Sequence, residues 1–596
     1  MPPGNNRRSQ PSRVTGETIA LFVLIGAVVV VLGTVYTAAT VGHQIAGLPP
    51  VPGPWETLFG VAAGTVAWPI ASTLATAGIA LVLLVLGGIG VRWWVRRGRR
   101  ASRVDHTARY LGRGRDVTPL TRAAVTETAA RLKVTGPPGV PIGRTVATNT
   151  DLYGSWEDMH IDIWGTRTGK TTSRAIPAIL AAPGPVLVTS NKRDVLDATR
   201  DPRRETGPVW VFDPQAVAGE EPTEWWWDPL SYVTDETRAA SLAEHFAAGS
   251  REPGARPDPY WDPAGQDLLA GLLLAAALDT RPITDVYRWL TRPTNDEPVT
   301  ILGRAGYDLT ADQVAGVINA PDKQRGGIYG TAQQMASCLT NRHVARWVTP
   351  TGPADHRRQF CPDTFVTSGS GTLYSLSREG RGTAGPLVTA LTVAVVQAAE
   401  DLAARSTGGR LPVPLLGVLD EAANVCRWQE LPNLYSHYGS RGIILMTILQ
   451  GWSQGVDVWG QHGMEKLWNA SNIAVYGGGC REQKFLDMLS ALIGDYDKRV
   501  TAVSTSRGHR SVNEHLTRER ILDVADLQAL PKGRAVVFAT GTRPTLIATQ
   551  PWMTSPHAPA VTASIAAHDP EADLTIRAAQ NETAAVAAAV SDEVGS

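Results

Sequence analysis

The chain has 596 residues, with 56 basic against 56 acidic side chains and 43% hydrophobic residues, a length that holds roughly three or four domains. With 19% charged and 7% aromatic residues, and apolar residues spread along most of its length, it cannot be a disordered chain, a collagen-like rod or a simple coiled coil. The balanced charge gives no chain-wide basic field, so any nucleic-acid contact must be local. Four cysteines, Cys338, Cys361, Cys426 and Cys480, have no C-x-x-C pairing and no histidine at ligand spacing. They suggest neither a disulfide framework nor a zinc site, and read as a reducing compartment.

From Thr18 to Thr40 no residue is charged, and a second uncharged run extends from Trp68 to Val91. Each is long enough to cross the hydrocarbon core of a bilayer as a helix, and a cleaved signal peptide would have a shorter apolar run and no second span. The loop between them carries His43 and Glu56 but no Lys or Arg, whereas Arg7, Arg8 and Arg13 precede the first run and Arg92, Arg96, Arg97, Arg99 and Arg100 close the second. By the positive-inside bias both termini face the cytoplasm, with Trp93 and Trp94 as an interfacial anchor. Residues 1–17 then read as a cytoplasmic tail and 18–100 as a two-helix anchor with an external loop, in the inner or plasma membrane.

The soluble body opens with a phosphate-binding pattern. Met159 to Trp164 alternates as a strand, Gly165-Thr166-Arg167-Thr168-Gly169-Lys170-Thr171-Thr172 forms a glycine loop, and Ser173 to Ala182 reads as a helix. Backbone N–H groups of such a loop wrap a phosphate, Lys170 reaches the β/γ oxygens and the Thr171 hydroxyl ligates Mg²⁺. The strict pattern needs glycine at 164, where the chain has Trp164.

Leu415 to Leu419 reads as a buried strand ending in Asp420-Glu421. Two carboxylates at a strand's C-terminal end suit an NTPase, Asp420 holding Mg²⁺ and Glu421 polarising the attacking water. Ile443 to Leu449 is another buried strand, ending in Gln450, an amide able to sense the γ-phosphate or orient water. Arg441, just before it, is a candidate to reach a neighbouring subunit's nucleotide. Between Lys170 and Asp420, the segments Glu236 to Ala248, Ala264 to Leu278, Ala311 to Ile318 and Ala332 to Thr340 have apolar residues three and four apart and read as helices. Lys498, Arg499, Arg507, His509, Arg510, Arg518 and Arg520 make a locally basic stretch, either a solvated face or a pore loop. From Ser555 the chain is Ala-rich and acidic, with Asp569, Glu571, Asp573, Glu582, Asp592 and Glu593 against Arg577, and disorder is expected there.

Taken together, these features resemble the type IV secretion coupling proteins, membrane-anchored ATPases that deliver DNA to conjugation machinery, over about Thr18 to Trp552. Besides the ATPase motifs and the two spans, the resemblance is carried by Asp420-Glu421-Ala422-Ala423-Asn424, by Ser440-Arg441-Gly442 leading to Gln450, and by Leu530 to Phe538. Further matches are Val186 to Lys192, Asp228-Pro229-Leu230 and Leu373-Tyr374-Ser375-Leu376. Trp164 departs from the family's first glycine, and Asn191 stands where aspartate is frequent.

The resemblance implies an α/β fold, a RecA-like P-loop NTPase domain with an inserted all-α domain, preceded by two transmembrane helices. On that scheme 101–235 is the first part of the motor, 236–350 the insert, 351–554 the second part of the motor, and 555–596 the tail. It implies ATP with Mg²⁺ as cofactors, a homo-hexameric ring, and single-stranded, relaxase-bound DNA and the secretion-channel proteins as partners. The expected function is ATP hydrolysis coupled to DNA transfer in conjugation. A membrane-anchored double-stranded DNA translocase of the chromosome-segregation type and a non-hydrolysing receptor for secreted proteins are the alternatives.

Overall fold

The computed structural model describes residues 16–98, 103–219, 221–251, 258–352, 354–380, 383–506 and 509–590. The chain divides into two compact units, residues 1–101 with 495–519 and 591–596, and residues 102–494 with 520–590. In the first unit, helices Gly16–Ala46 and Ile70–Gly98 occupy the two apolar runs, with a short helix Pro54–Ala62 between them. Leu24–Ala46 and Ile70–Gly88 are both long and apolar enough to cross a membrane. The helices meet at small residues: a Cβ added to Gly42 would come within 1.9 Å of Ser72 Oγ, a close approach of the kind that spanning helices use. Of the arginines behind the expected orientation, Arg7, Arg8, Arg13, Arg99 and Arg100 lie outside the described residues.

In chain order the strands are β1 (Val140–Thr145), β2 (Asp151–Gly154), β3 (His160–Ile163), β4 (Val186–Ser190), β5 (Val209–Phe212), β6 (Trp225–Trp226), β7 (Arg358–Gln359), β8 (Thr372–Leu376), β9 (Leu415–Leu419), β10 (Ile443–Leu449), β11 (Ile473–Tyr476), β12 (Asp495–Ser506), β13 (His509–Arg520), β14 (Arg534–Ala539) and β15 (Thr545–Ala548). Strands β12 and β13 form a separate two-stranded sheet. Its end is tied by ion pairs from Lys498 to Glu519 at 3.1 Å and from Arg518 to Asp495 at 3.1 Å. Arg507, from the basic stretch, lies outside the described residues.

The second unit is built on an 11-stranded sheet in the order β2-β1-β15-β14-β11-β3-β10-β9-β4-β8-β5. From β11 to β5 neighbouring strands are parallel, and the β14, β15, β1 and β2 end is antiparallel. Strands β3, β4, β8, β9, β10 and β11 are buried at every position. Covered on both faces, parallel strands such as β9 and β10 read as nearly continuous apolar runs, whereas β3 alternates, with His160 and Asp162 between apolar residues.

Between β6 and β7 the regular elements are all helical, from Glu236–Ser250 to Arg342–Val348. The two ends of this stretch are held together by the parallel β6–β7 pair, with Trp225 opposite Arg358 and Trp226 opposite Gln359. Trp225 packs at 5.3–5.5 Å, ring centre to ring centre, on Trp210, Trp347 and Phe360. A third long apolar helix, Gly385–Arg405, has 72% of its most apolar window buried and belongs to this unit's interior.

The disorder expected from Ser555 does not hold for the described residues. Helices Ala558–His568 and Ala572–Val590 follow the sheet. Val561, Ile565 and Ala579 are buried with Ile176, Ala198 and Trp552, and Ile576 packs against them. Alanine favours helix and packs closely at the right spacing, which a composition argument does not weigh. Asp592 and Glu593 lie outside the described residues.

The aromatic cluster should be the keystone of the insert's attachment. Trp225→Ala is expected to lower unfolding stability by about 3–5 kcal/mol, the usual cost of removing a buried Trp, in denaturant titrations of the full chain in detergent followed by fluorescence.

Candidate nucleotide site

Three adjacent parallel strands run in the order β3-β10-β9 towards one edge of the sheet, β3 and β10 ending level and β9 two residues earlier. Leu449 lies opposite Ile163, and Thr447 opposite Leu419. The residues immediately beyond those ends are therefore neighbours: the glycine loop after β3, Gln450 after β10, and Asp420-Glu421 after β9. The C-terminal edge of parallel strands is where α/β folds bind ligands.

Lys170 Nζ donates to Asp420 Oδ1 at 2.9 Å and to Glu421 Oε1. The lysine side chain is 13% exposed, and those of Asp420 and Glu421 are 4% and 1% exposed. Gln450 Nε2 donates to the same Glu421 oxygen at 2.6 Å. The other oxygen, Oε2, is buried with no hydrogen-bond partner among the described residues. Glu421 is also left-handed, at φ 54° and ψ 41°, a conformation that costs a non-glycine residue energy and concentrates at functional sites. Burial lowers the Lys170 pKa, but the Asp420 and Glu421 charges outweigh it and hold the ammonium above its ordinary value. For Asp420, burial pushes the carboxyl up, and Lys170 offsets part of that rise. On the adjoining strand β4, the Ser190 hydroxyl lies 3.5 Å from Asp420 Oδ2.

These observations can be set beside known proteins. Residues 414–532 match the family model described as the TraM recognition site of TraD and TraG. Over that stretch the chain is similar to TraD and TraG. In fold it is similar to the bacterial conjugative coupling protein TrwBdeltaN70 in its unbound monoclinic form, at 17% identity and a TM-score of 0.51 over 68% of this chain and 88% of that one. The plasmid coupling protein TrwB in complex with ADP and Mg²⁺ matches at 17% identity and a TM-score of 0.48, covering 66% and 85%. No curated protein matches the chain significantly. The large mixed sheet, with helices around it, is an α/β fold shared with the first of these structures.

The structure also accounts for Trp164. Its ring is fully buried, and a Cβ added to Gly477 would come within 2.0 Å of it. Gly165 N donates to Gly478 O at 2.9 Å, and a Cβ on Gly165 would strike Gly479 at 2.4 Å. The close backbone approach that glycine provides is thus supplied by Gly165 against Gly477, Gly478 and Gly479, one place later than in the usual pattern. The indole donates to Asp162 Oδ1 at 3.2 Å, and Arg174 Nε donates to the same oxygen at 2.7 Å. This fully buried ion pair fastens the strand before the loop to the helix after it. Within the loop, Arg167 and Gly169 have φ of 62° and 94°.

The helix after the loop begins with a widened turn, Thr171–Ala175, before Ile176–Ala181. Pro177 is the physical cause, because it has no N–H for the Ser173 carbonyl and its ring crowds that carbonyl. Thr171 and Thr172 are half-buried on this turn, and Thr166 and Arg167 are exposed.

The structure does not bring Arg441 to these residues. It stands before the first residue of β10, at the opposite end of the strand from Gln450, and pairs with Glu400. Asn191 is explained by its neighbour: its amide and that of Asn424, the latter at 2.9 Å, both donate to Glu379 Oε1, which an aspartate at 191 could not do. Sequence reasoning missed Asp162, Arg174, Glu379 and Glu582. A charged residue inside an otherwise apolar strand was the available signal for Asp162, and Arg174, four residues after Lys170, is its helical counterpart.

Replacing Trp164 by the glycine of the usual pattern should damage the site. Trp164→Gly is expected to lower stability by about 3–5 kcal/mol through the cavity it leaves, and to give no gain in affinity for a fluorescent ATP analogue, as read by thermal unfolding and equilibrium titration.

Proposed function

We propose that this coupling-protein relative is a membrane-anchored ATPase that couples a relaxase-bound DNA strand to a type IV secretion channel and drives its transfer. The observation that carries this reading is the convergence of Lys170, Asp420, Glu421 and Gln450 at adjacent strand ends. The residues present suit a magnesium nucleotide. The loop 165–172 offers backbone N–H groups and Lys170 to phosphates, Thr171 and Asp420 offer hard oxygen ligands to Mg²⁺, and the orphaned Glu421 Oε2 is an acceptor with no other use. The cation would supply Lewis-acid stabilisation of phosphate charge.

In this mechanism the Lys170 ammonium, held protonated by its two carboxylate partners, moves to phosphate oxygens. Its departure frees Glu421 to accept a proton from water at Oε2, while the Gln450 amide holds Oε1 and so orients the carboxylate. Asp420, fixed beside Ser190, stays acceptor-only. Arg441 acts across a subunit boundary in a homo-hexamer, which is consistent with its place away from this chain's own loop.

The family model's description supports a protein partner from the DNA-processing complex, since it names recognition of TraM by TraD and TraG. The two apolar helices support a multi-pass membrane anchor, and the arginines flanking both outer ends of the two runs support cytoplasmic termini.

Lys170→Ala is expected to abolish turnover and to weaken MgATP binding in the full chain, and hydrolysis at the parent rate would remove the site assignment. Glu421→Gln should keep nucleotide binding and lose about a hundredfold in hydrolysis, in the range for removal of a general base. Equal loss of binding and turnover would make Glu421 a structural or metal residue instead. A reporter fused near Pro52 should read as external and one at the C-terminus as internal, and a cytoplasmic loop would refute the two-span anchor. ATPase should rise with protein concentration and with single-stranded DNA, and Arg441→Ala should remove that rise while sparing nucleotide binding. ATPase indifferent to both would favour the receptor.

A further inference from the structure

The C-terminal helix Ala572–Val590 lays one acidic side chain on the phosphate loop. Thr172 Oγ1 lies 3.1 Å from Glu582 Oε1 and 3.2 Å from Gly169 O, so its one proton has two acceptors. The same Glu582 oxygen stands against the open face of Gly169, where an added Cβ would come within 2.8 Å of it. Glu582 Oε2 faces Lys532 Nζ at 3.5 Å, and the glutamate side chain is only 13% exposed. A half-exposed lysine at that distance is a weak counter-charge for a buried carboxylate. The Thr172 hydroxyl, on the first turn of the helix after the loop, supplies a hydrogen bond to that carboxylate, and Gly169, lacking a Cβ, leaves it room.

We propose that the helix Ala572–Val590 is an intramolecular latch on the nucleotide site, in which the Glu582 carboxylate stands in for a nucleotide phosphate at Gly169 and Thr172 and is displaced when ATP binds. This inference rests on the nucleotide reading given above. Two anions cannot share one turn of the loop: the carboxylate carries the charge and acceptor oxygens that a phosphate would bring to the same donors. The helix can leave without unfolding the sheet, because among the described residues its docked face is small. Ile576 and Ala579 meet Trp552, Val561, Ile565 and Ile176, and a groove lined by Trp552, Met553, Thr562 and Ile576 runs beside it. Few apolar contacts at a chain end mark the low-stability part of a fold. Lys532, released from Glu582, becomes a free cation at the mouth of the site.

The test uses the full chain in detergent or nanodiscs and equilibrium binding of a fluorescent ATP analogue with Mg²⁺. Glu582→Gln keeps the size and hydrogen-bonding reach of the side chain while removing its charge, and should bind about tenfold more tightly, the equivalent of ~1.4 kcal/mol. Unchanged or weaker binding, with the parent chain binding normally, overturns the latch and leaves the nucleotide site standing. Lys170→Ala separates the two ideas. If the parent, Glu582→Gln and Lys170→Ala chains bind equally poorly, the nucleotide reading has failed and the latch with it. In the unaltered chain, backbone hydrogen exchange over 572–590 should speed up when MgATP saturates the site. Protection that stays constant while nucleotide is bound also overturns the proposal.

Discussion

One buried cation facing two buried carboxylates organises this molecule. Lys170, Asp420 and Glu421 are almost without solvent, and the cluster carries one more negative charge than positive. Removing charges from water is costly unless every one is matched, and Lys170 alone does not balance the two carboxylates. That imbalance is what a divalent cation and a phosphate-seeking lysine would resolve together. Its geometric precondition is the parallel register that brings the ends of β3, β10 and β9 to one edge of the sheet. A register change in any of them would separate the three groups, since neighbouring residues of a strand point to opposite faces.

The departure at Trp164 shows that a glycine pattern can belong to two loops at once. Close approach is needed between the phosphate loop and something beneath it, and the chain meets the need with Gly165 on one side and Gly477, Gly478 and Gly479 on the other. The tryptophan fills the space so created and is oriented by Asp162, which in turn holds Arg174. A motif scan sees an error at one position, whereas the folded chain has an indole, a carboxylate and a guanidinium replacing the conformational role of one glycine.

What could be read from sequence was what is local. Strand, loop and helix around Gly169-Lys170-Thr171, and the apolar strand that ends in Asp420-Glu421, are contiguous patterns whose chemistry is stated by adjacent residues. The Arg174–Asp162 pair is closer in sequence, but nothing marks which face either residue takes until the helix is docked. Glu582 was weighed only as part of an acidic tail, because the packing of Ile576 and Ala579 on Trp552 and Ile176 depends in part on Ile176, which lies far away in the chain. The apolar-length criterion found the two N-terminal helices, yet Gly385–Arg405 meets it as well and is largely buried in the second unit. Charges confined to one end do not separate it, since Ile70–Gly98 has Arg92, Arg96 and Arg97 in its last turns as well; its burial does.

Arginine count is a poor guide to nucleic-acid affinity in this chain, because many arginines are already committed. Arg203 is buried and donates to Thr372 Oγ1 at 2.8 Å and to the Ala182 and Gly184 carbonyls at 2.9 and 2.8 Å. Arg410 donates to the Gly439 carbonyl at 2.8 Å and to that of Trp156. Arg174, Arg441, Lys498 and Arg518 face carboxylates. These guanidinium groups close backbone and ion-pair networks, so their charge is neutralised or spent on dipoles before any ligand arrives. On the proposed function, a polyanion would meet a nearly neutral subunit, and the attraction would have to come from a few exposed cations repeated around the axis of the proposed ring. Repetition would multiply the number of phosphates neutralised per assembly and steepen the salt dependence of binding in proportion, so that DNA affinity and assembly would be coupled through charge.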